Sequence, residues 1–136
     1  MAPFADPSLR VYHAAVEVWE LVVEATRGIP RRFWPLEQQL LRATSSIALN
    51  IAEGAAEFSP GEKTRLYRTS LRSAAESSAA LELFARNGAM APEVAESITL
   101  RLEGIGGMLM NMIIAVRSQR TPLATRSAAG PGKSVR

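Results

Sequence analysis

The chain contains no cysteine, which excludes a disulfide framework, a thiol nucleophile and a thiolate zinc site together. It has one histidine, His13, and no Glu-x-x-His spacing, so a di-iron carboxylate centre of the ferritin-like kind lacks its ligands. Serines are numerous, but a serine nucleophile needs a neighbouring base, and the only imidazole sits in an apolar-rich helical segment. No glycine loop follows a strand to cradle phosphate, because Gly104, Gly106 and Gly107 fall inside a helical pattern. The residues therefore predict no catalytic group, no metal and no cofactor, and so a protein that is not an enzyme. Long apolar runs are missing as well. The longest uncharged stretch lies between Glu103 and Arg117, short of the about 20 residues that span a bilayer. Met1 to Pro7 shows no basic segment leading into an apolar run. The expectation is no membrane partner, no secretory signal and a cytoplasmic location.

Lysine is scarce, with two against fourteen arginines. The codon bias of a GC-rich genome is the simpler cause, and bidentate phosphate contact the alternative. The net charge is +3, and residues 121–136 carry Arg126, Lys133 and Arg136 without an acid, which equals the whole excess. The rest of the chain is neutral, so a basic surface there has to come from segregation of charge. At 136 residues the chain fits one domain, long enough for a core and short enough to gain from self-association.

What is present is helical periodicity, and the chain is organised around Arg42 to Gly54. Ala43, Ile47 and Ile51 form one stripe there, with Thr44, Leu49 and Ala52 beside it, while Arg42, Ser46, Asn50 and Glu53 run through the same segment. That mixture predicts a helix buried on most of its circumference, whose polar groups need partners inside a bundle.

Four helices are predicted, at about 7–27, 36–57, 60–87 and 92–119, with residues 121–136 a disordered basic tail. The first carries two apolar seams, Leu9, Tyr12, Val16, Trp19, Val23 and Val11, Ala15, Val18, Val22. Ser59-Pro60-Gly61-Glu62 reads as a capping box opening the third, and Asn87-Gly88 as its left-handed stop. The third is lined by small residues, Ser70, Ser73, Ala74, Ser77, Ser78 and Ala80, which permit close approach of a neighbour. The fourth has the seam Val94, Ile98, Leu102, Ile105, Leu109, Met112, Val116, and its glycines should be offset by close contact, with the small face of helix three as the candidate. Short connections make the fold an all-α, antiparallel up-down-up-down four-helix bundle.

The strings Leu9-Arg10-Val11-Tyr12, Glu37 to Ala43, Ser46-Ile47-Ala48-Leu49-Asn50-Ile51-Ala52-Glu53-Gly54 and Ser73-Ala74-Ala75-Glu76 resemble a known family. It comprises the bacterial four-helix-bundle proteins called intervening-sequence proteins of large-subunit ribosomal RNA. The resemblance implies a left-handed up-down bundle, often assembled as a homopentameric ring. It extends distantly to accessory proteins of diversity-generating retroelements, which bind a reverse transcriptase and nucleic acid through basic surface. Most members have no assigned activity. Arg42, Asn50, Glu53 and Glu76 match the family's recurrent polar residues, whereas Ala55-Ala56-Glu57-Phe58 stand where many members are basic.

Three features are candidate sites. Arg42, Asn50, Glu53 and Glu76 read as an internal hydrogen-bond and ion-pair network, with Arg42 against Glu76 or Glu53, in preference to a ligand pocket. Arg65, Arg68 and Arg72, at i, i+3 and i+7 with Lys63 nearby, read either as a phosphate-binding stripe or as a solvated face partly neutralised by Glu62 and Glu76. Arg31 and Arg32 beside Phe33 and Trp34 could hold phosphate and stack a base, or the aromatics could fold under the bundle as a lid. The expected function is a homo-oligomeric binding protein associated with RNA, DNA or a nucleic-acid enzyme. The alternative is a protein–protein scaffold docking through the Phe33-Trp34 corner or a ring face.

Overall fold

The computed structural model describes residues 6–135, with side chains from Pro7 to Gln119. Four helices, α1 (Asp6–Ala25), α2 (Trp34–Ala56), α3 (Pro60–Arg86) and α4 (Pro92–Val135), run up and down, and a 3-10 turn at Arg31–Phe33 leads into α2. Packing joins α1 to α2, α2 to α3, α3 to α4 and α4 back to α1, which leaves α1 and α3 on opposite corners. No strand occurs among the described residues. The expected all-α up-down bundle is the fold observed. α4 is helical beyond the end at 119 read from the sequence; the irregular basic tail expected over 121–136 lies outside the residues whose side chains are described.

Local chemistry sets the boundaries. Ser59 caps α3 by accepting the Glu62 amide at 3.3 Å, and Pro60 occupies the first helical position. Gly88, at φ 71°, turns the chain out of α3, with the Ala89 amide reaching back to the Phe84 carbonyl at 2.9 Å. The two seams of α1 part company. Val11, Ala15, Val18 and Val22 are sealed in the core, whereas Leu9 remains 40% exposed and Tyr12 and Val16 pack at the core's edge. On α4, Ile98, Leu102, Ile105, Leu109 and Met112 are buried as expected and Val116 packs at the core's edge, while Ile113 joins the seam and Ala95 takes the buried position predicted for Val94. The segment Pro92–Gln119 does reach the length and mean hydropathy, 1.3, of a membrane span, contrary to the reading from its uncharged run. Its apolar stripe is core lining, however, and Glu96, Arg101 and Glu103 face outward along it.

The small face of α3 meets α2, where the sequence pointed to α4. Ser70 donates to the Ile47 carbonyl at 2.9 Å, and Ser73 donates to the Ser46 hydroxyl at 2.9 Å. Gly54 lies under the Tyr67 ring so closely that a Cβ there would stand 2.5 Å from Cε1. The α4 glycines are the reverse: Gly104 and Gly107 have nothing within 4 Å, and Gly106 meets only Leu71 Cδ2 at 3.7 Å. Their spacing puts Gly104 and Gly107 on the outward pole with Leu100 and Ile114.

Candidate nucleic-acid interface

Helical spacing brings Arg65, Arg68 and Arg72 onto one outward strip of α3, and all three are exposed. They are not equivalent. Arg65 is held by Glu62 through Nε at 3.0 Å and through Nη2. That hydrogen bond, joined by the charge attraction, lowers the Glu62 carboxyl below its ordinary range and raises the Arg65 guanidinium. Both groups sit in solvent, so the pair adds little to stability. Arg68 and Arg72 form no ion pair among the described residues, and Glu76, one turn beyond Arg72, does not engage it. Lys63 is unavailable for the strip. Its ammonium donates to the Gly54 carbonyl at 2.7 Å, closing the end of α2, and lies 5.8 Å from the Tyr67 ring centroid. Burial lowers its pKa, with Glu57 opposing, and burial raises that of the Tyr67 phenol.

Arg31 and Arg32 are at the other end of the bundle. Phe33 packs edge-on against Phe84, with ring centroids 6.2 Å apart, so this pair of arginines sits by the C-terminal end of α3. Arg68 precedes Phe84 by sixteen helical residues, about 24 Å at 1.5 Å per residue. The two basic sets are therefore separate in space. Arg32 lies over the Phe33 ring at 4.8 Å from its centroid, which leaves Arg31 as the free guanidinium of that turn. Phe33 folds inward and Trp34, 58% exposed, does not, so the corner is half lid and half exposed aromatic.

The polar network differs in kind from the one read in the sequence. Arg42, Glu53 and Glu76 are all exposed, and no ion pair links them among the described residues. The reason is angular: Arg42, Leu49 and Glu53 share the one strip of α2 that points away from the core, where Leu49 is 62% exposed. Of the four expected residues only Asn50 joins the network, donating to the Ser46 carbonyl and hydroxyl at 2.9 Å each. The remaining members are hydroxyls. Ser73 reaches Ser46, Ser77 donates to the Ser73 carbonyl at 2.8 Å, and Thr44 to the Leu40 carbonyl at 2.9 Å. No buried side-chain polar atom among the described residues is left unpartnered. The cluster is therefore a hydrogen-bonded seam between and along α2 and α3. Its signal was the row of serines on α3, legible as small but equally able to donate.

Charge is segregated between opposite corners of the bundle. Exposed Glu17, Glu20 and Glu24 on α1 face one arginine of that helix, Arg10, while α3 carries Lys63, Arg65, Arg68, Arg72 and Arg86 against Glu62, Glu76 and Glu82. Arg101 of α4 spans the α1 edge to Glu17 at 3.3 Å. Among the described residues no group of histidine and carboxylate side chains could hold a metal ion.

Comparison with known proteins adds three facts. Residues 7–111 match the model of the family described as 23S rRNA-intervening sequence protein. A crystal structure of a protein of unknown function from the S23 ribosomal protein family of Bacteroides thetaiotaomicron superposes with a TM-score of 0.70 at 23% identity. The alignment covers 79% of this chain and 98% of that one. No curated protein matches.

Proposed function

The chain belongs to the 23S rRNA-intervening sequence protein family, and from that premise we propose a homo-oligomeric, cytoplasmic binding protein that associates with nucleic acid or a ribonucleoprotein without catalysing a reaction. The observation that carries this reading is the pair Arg68 and Arg72, two exposed guanidiniums on one strip with no internal ion pair. Their planar forks suit phosphate oxygens, and contacts of this type position a backbone without reading sequence. Self-assembly would repeat the strip and convert weak contacts into avidity. Support for assembly comes from apolar side chains left in solvent on α4: Leu100 is 59% exposed, Ile114 55% and Met110 46%. A pentameric ring is the form the resemblance implies.

The test is RNA binding followed by fluorescence anisotropy at two salt concentrations. Arg65→Glu, Arg68→Glu and Arg72→Glu together should abolish a binding that weakens steeply with salt. Unchanged binding would remove the strip from consideration. A protein–protein scaffold is the second reading, favoured by Trp34 and by Phe58, which is 95% exposed at the α2–α3 turn. Recovery of one defined protein partner after nuclease treatment would select it.

A further inference from the structure

Between α1 and α2, at the end opposite the α3 strip's first turn, lies an open groove of about 500 Å³, within the size range of small-molecule sites. Trp19, Val23, Ile29 and Leu41 form its apolar lining, and Arg27 and Glu37 stand in it as the charged groups. Thr26 also borders the groove, but its hydroxyl is turned onto the Val22 and Val23 carbonyls at 2.9 and 3.1 Å. Glu37 is half-buried, and neither a hydrogen bond nor an ion pair engages its carboxylate among the described residues. A half-buried acceptor beside an indole asks for a flat ligand carrying N–H donors. Arg27 lines the groove with its Nε on Glu24 Oε1 at 2.9 Å, both side chains in solvent, and its remaining guanidinium N–H groups suit an anion on the same ligand.

We infer that this groove binds a guanine nucleotide presented by a single strand. The Trp19 indole takes the face of the base, the Glu37 carboxylate accepts from N1–H and N2–H, and Arg27, shared with Glu24, holds the phosphate. Guanine is singled out because its Watson–Crick edge alone sets two N–H donors side by side, the match for a carboxylate's two oxygens. An apolar helix seated here would leave Glu37 covered and unpaired. A cationic peptide would suit Trp19 and Glu37 but would meet the Arg27 guanidinium. The inference rests on the nucleic-acid reading and uses a surface remote from the α3 strip.

The experiment uses the full chain carrying Trp34→Phe, in which Trp19 is the remaining tryptophan. Titration with GMP should quench its emission, with IMP weaker for want of the N2 donor and AMP weaker again. Glu37→Gln should weaken GMP binding about tenfold while leaving helical content unchanged. No quenching at millimolar GMP, or equal affinity in the Glu37→Gln protein, overturns the inference. So does an arginine-rich peptide that binds in place of GMP and depends on Glu37. RNA binding measured alongside separates the two ideas: an RNA complex lost with the α3 arginines in a protein blind to GMP sinks the groove alone, whereas GMP binding without any RNA complex supports the groove and sinks the broader reading.

Discussion

At Gly54 one hydrogen atom decides how near α3 comes to α2. A methyl group there would press on the Tyr67 ring at 2.5 and 2.8 Å, and a ring wedged between helices has little room to turn away. Gly54→Ala should therefore lower stability by about 1–2 kcal/mol in urea unfolding, the overpacking cost outweighing the gain in helix propensity. In a Tyr67→Leu background the same change should become neutral or stabilising. The hydroxyl seam is the second test at this scale. Ser73→Ala removes the donor to Ser46 and should cost about 1 kcal/mol, whereas Arg42→Ala, on the exposed strip, should stay within about 0.5 kcal/mol. Tyr67 also makes an alkaline prediction. Burial raises its pKa in the folded state, so its contribution is complete below the ordinary phenol pKa of about 10 and is lost as pH rises above it. Unfolding curves followed from pH 9 upward should show a loss that Tyr67→Phe diminishes.

Helices as units were legible because each signals its own ends: Ser59 and Pro60 at the start of α3, Gly88 at its stop, and an unbroken apolar stripe on α4. What periodicity left open was which neighbour a face meets. Two series on α1 had equal claims, and only packing made Val11, Ala15, Val18 and Val22 the core. Likewise the serines of α3 and the glycines of α4 were both small, and size alone does not say that one set abuts a helix while the other looks into water. The Arg42 pairing failed for the same reason, since angular position on α2 outweighs the presence of a complementary charge nearby in sequence. Outward glycines carry a prediction of their own. With nothing within 4 Å of Gly104 and Gly107, alanine at each should stabilise the protomer by about 1 kcal/mol, read from thermal unfolding.

For the molecule as a whole, the four helices bury one core and still leave Leu100, Met110 and Ile114 in solvent on α4. Leu100→Glu with Ile114→Glu should keep helical content by circular dichroism. The same pair should reduce the mass found by light scattering to that of one chain if this face joins copies, and a wild-type protein that is already a single chain at micromolar concentration would remove that proposal. The other property of the whole is the placement of unlike charge on the non-touching helices α1 and α3. The described side chains of these two helices by themselves set up a dipole across the short axis of the bundle. Drifting toward any polyanion, it would be swung round by the long-range field, glutamates trailing and arginines leading, and in dilute salt would make first contact already oriented.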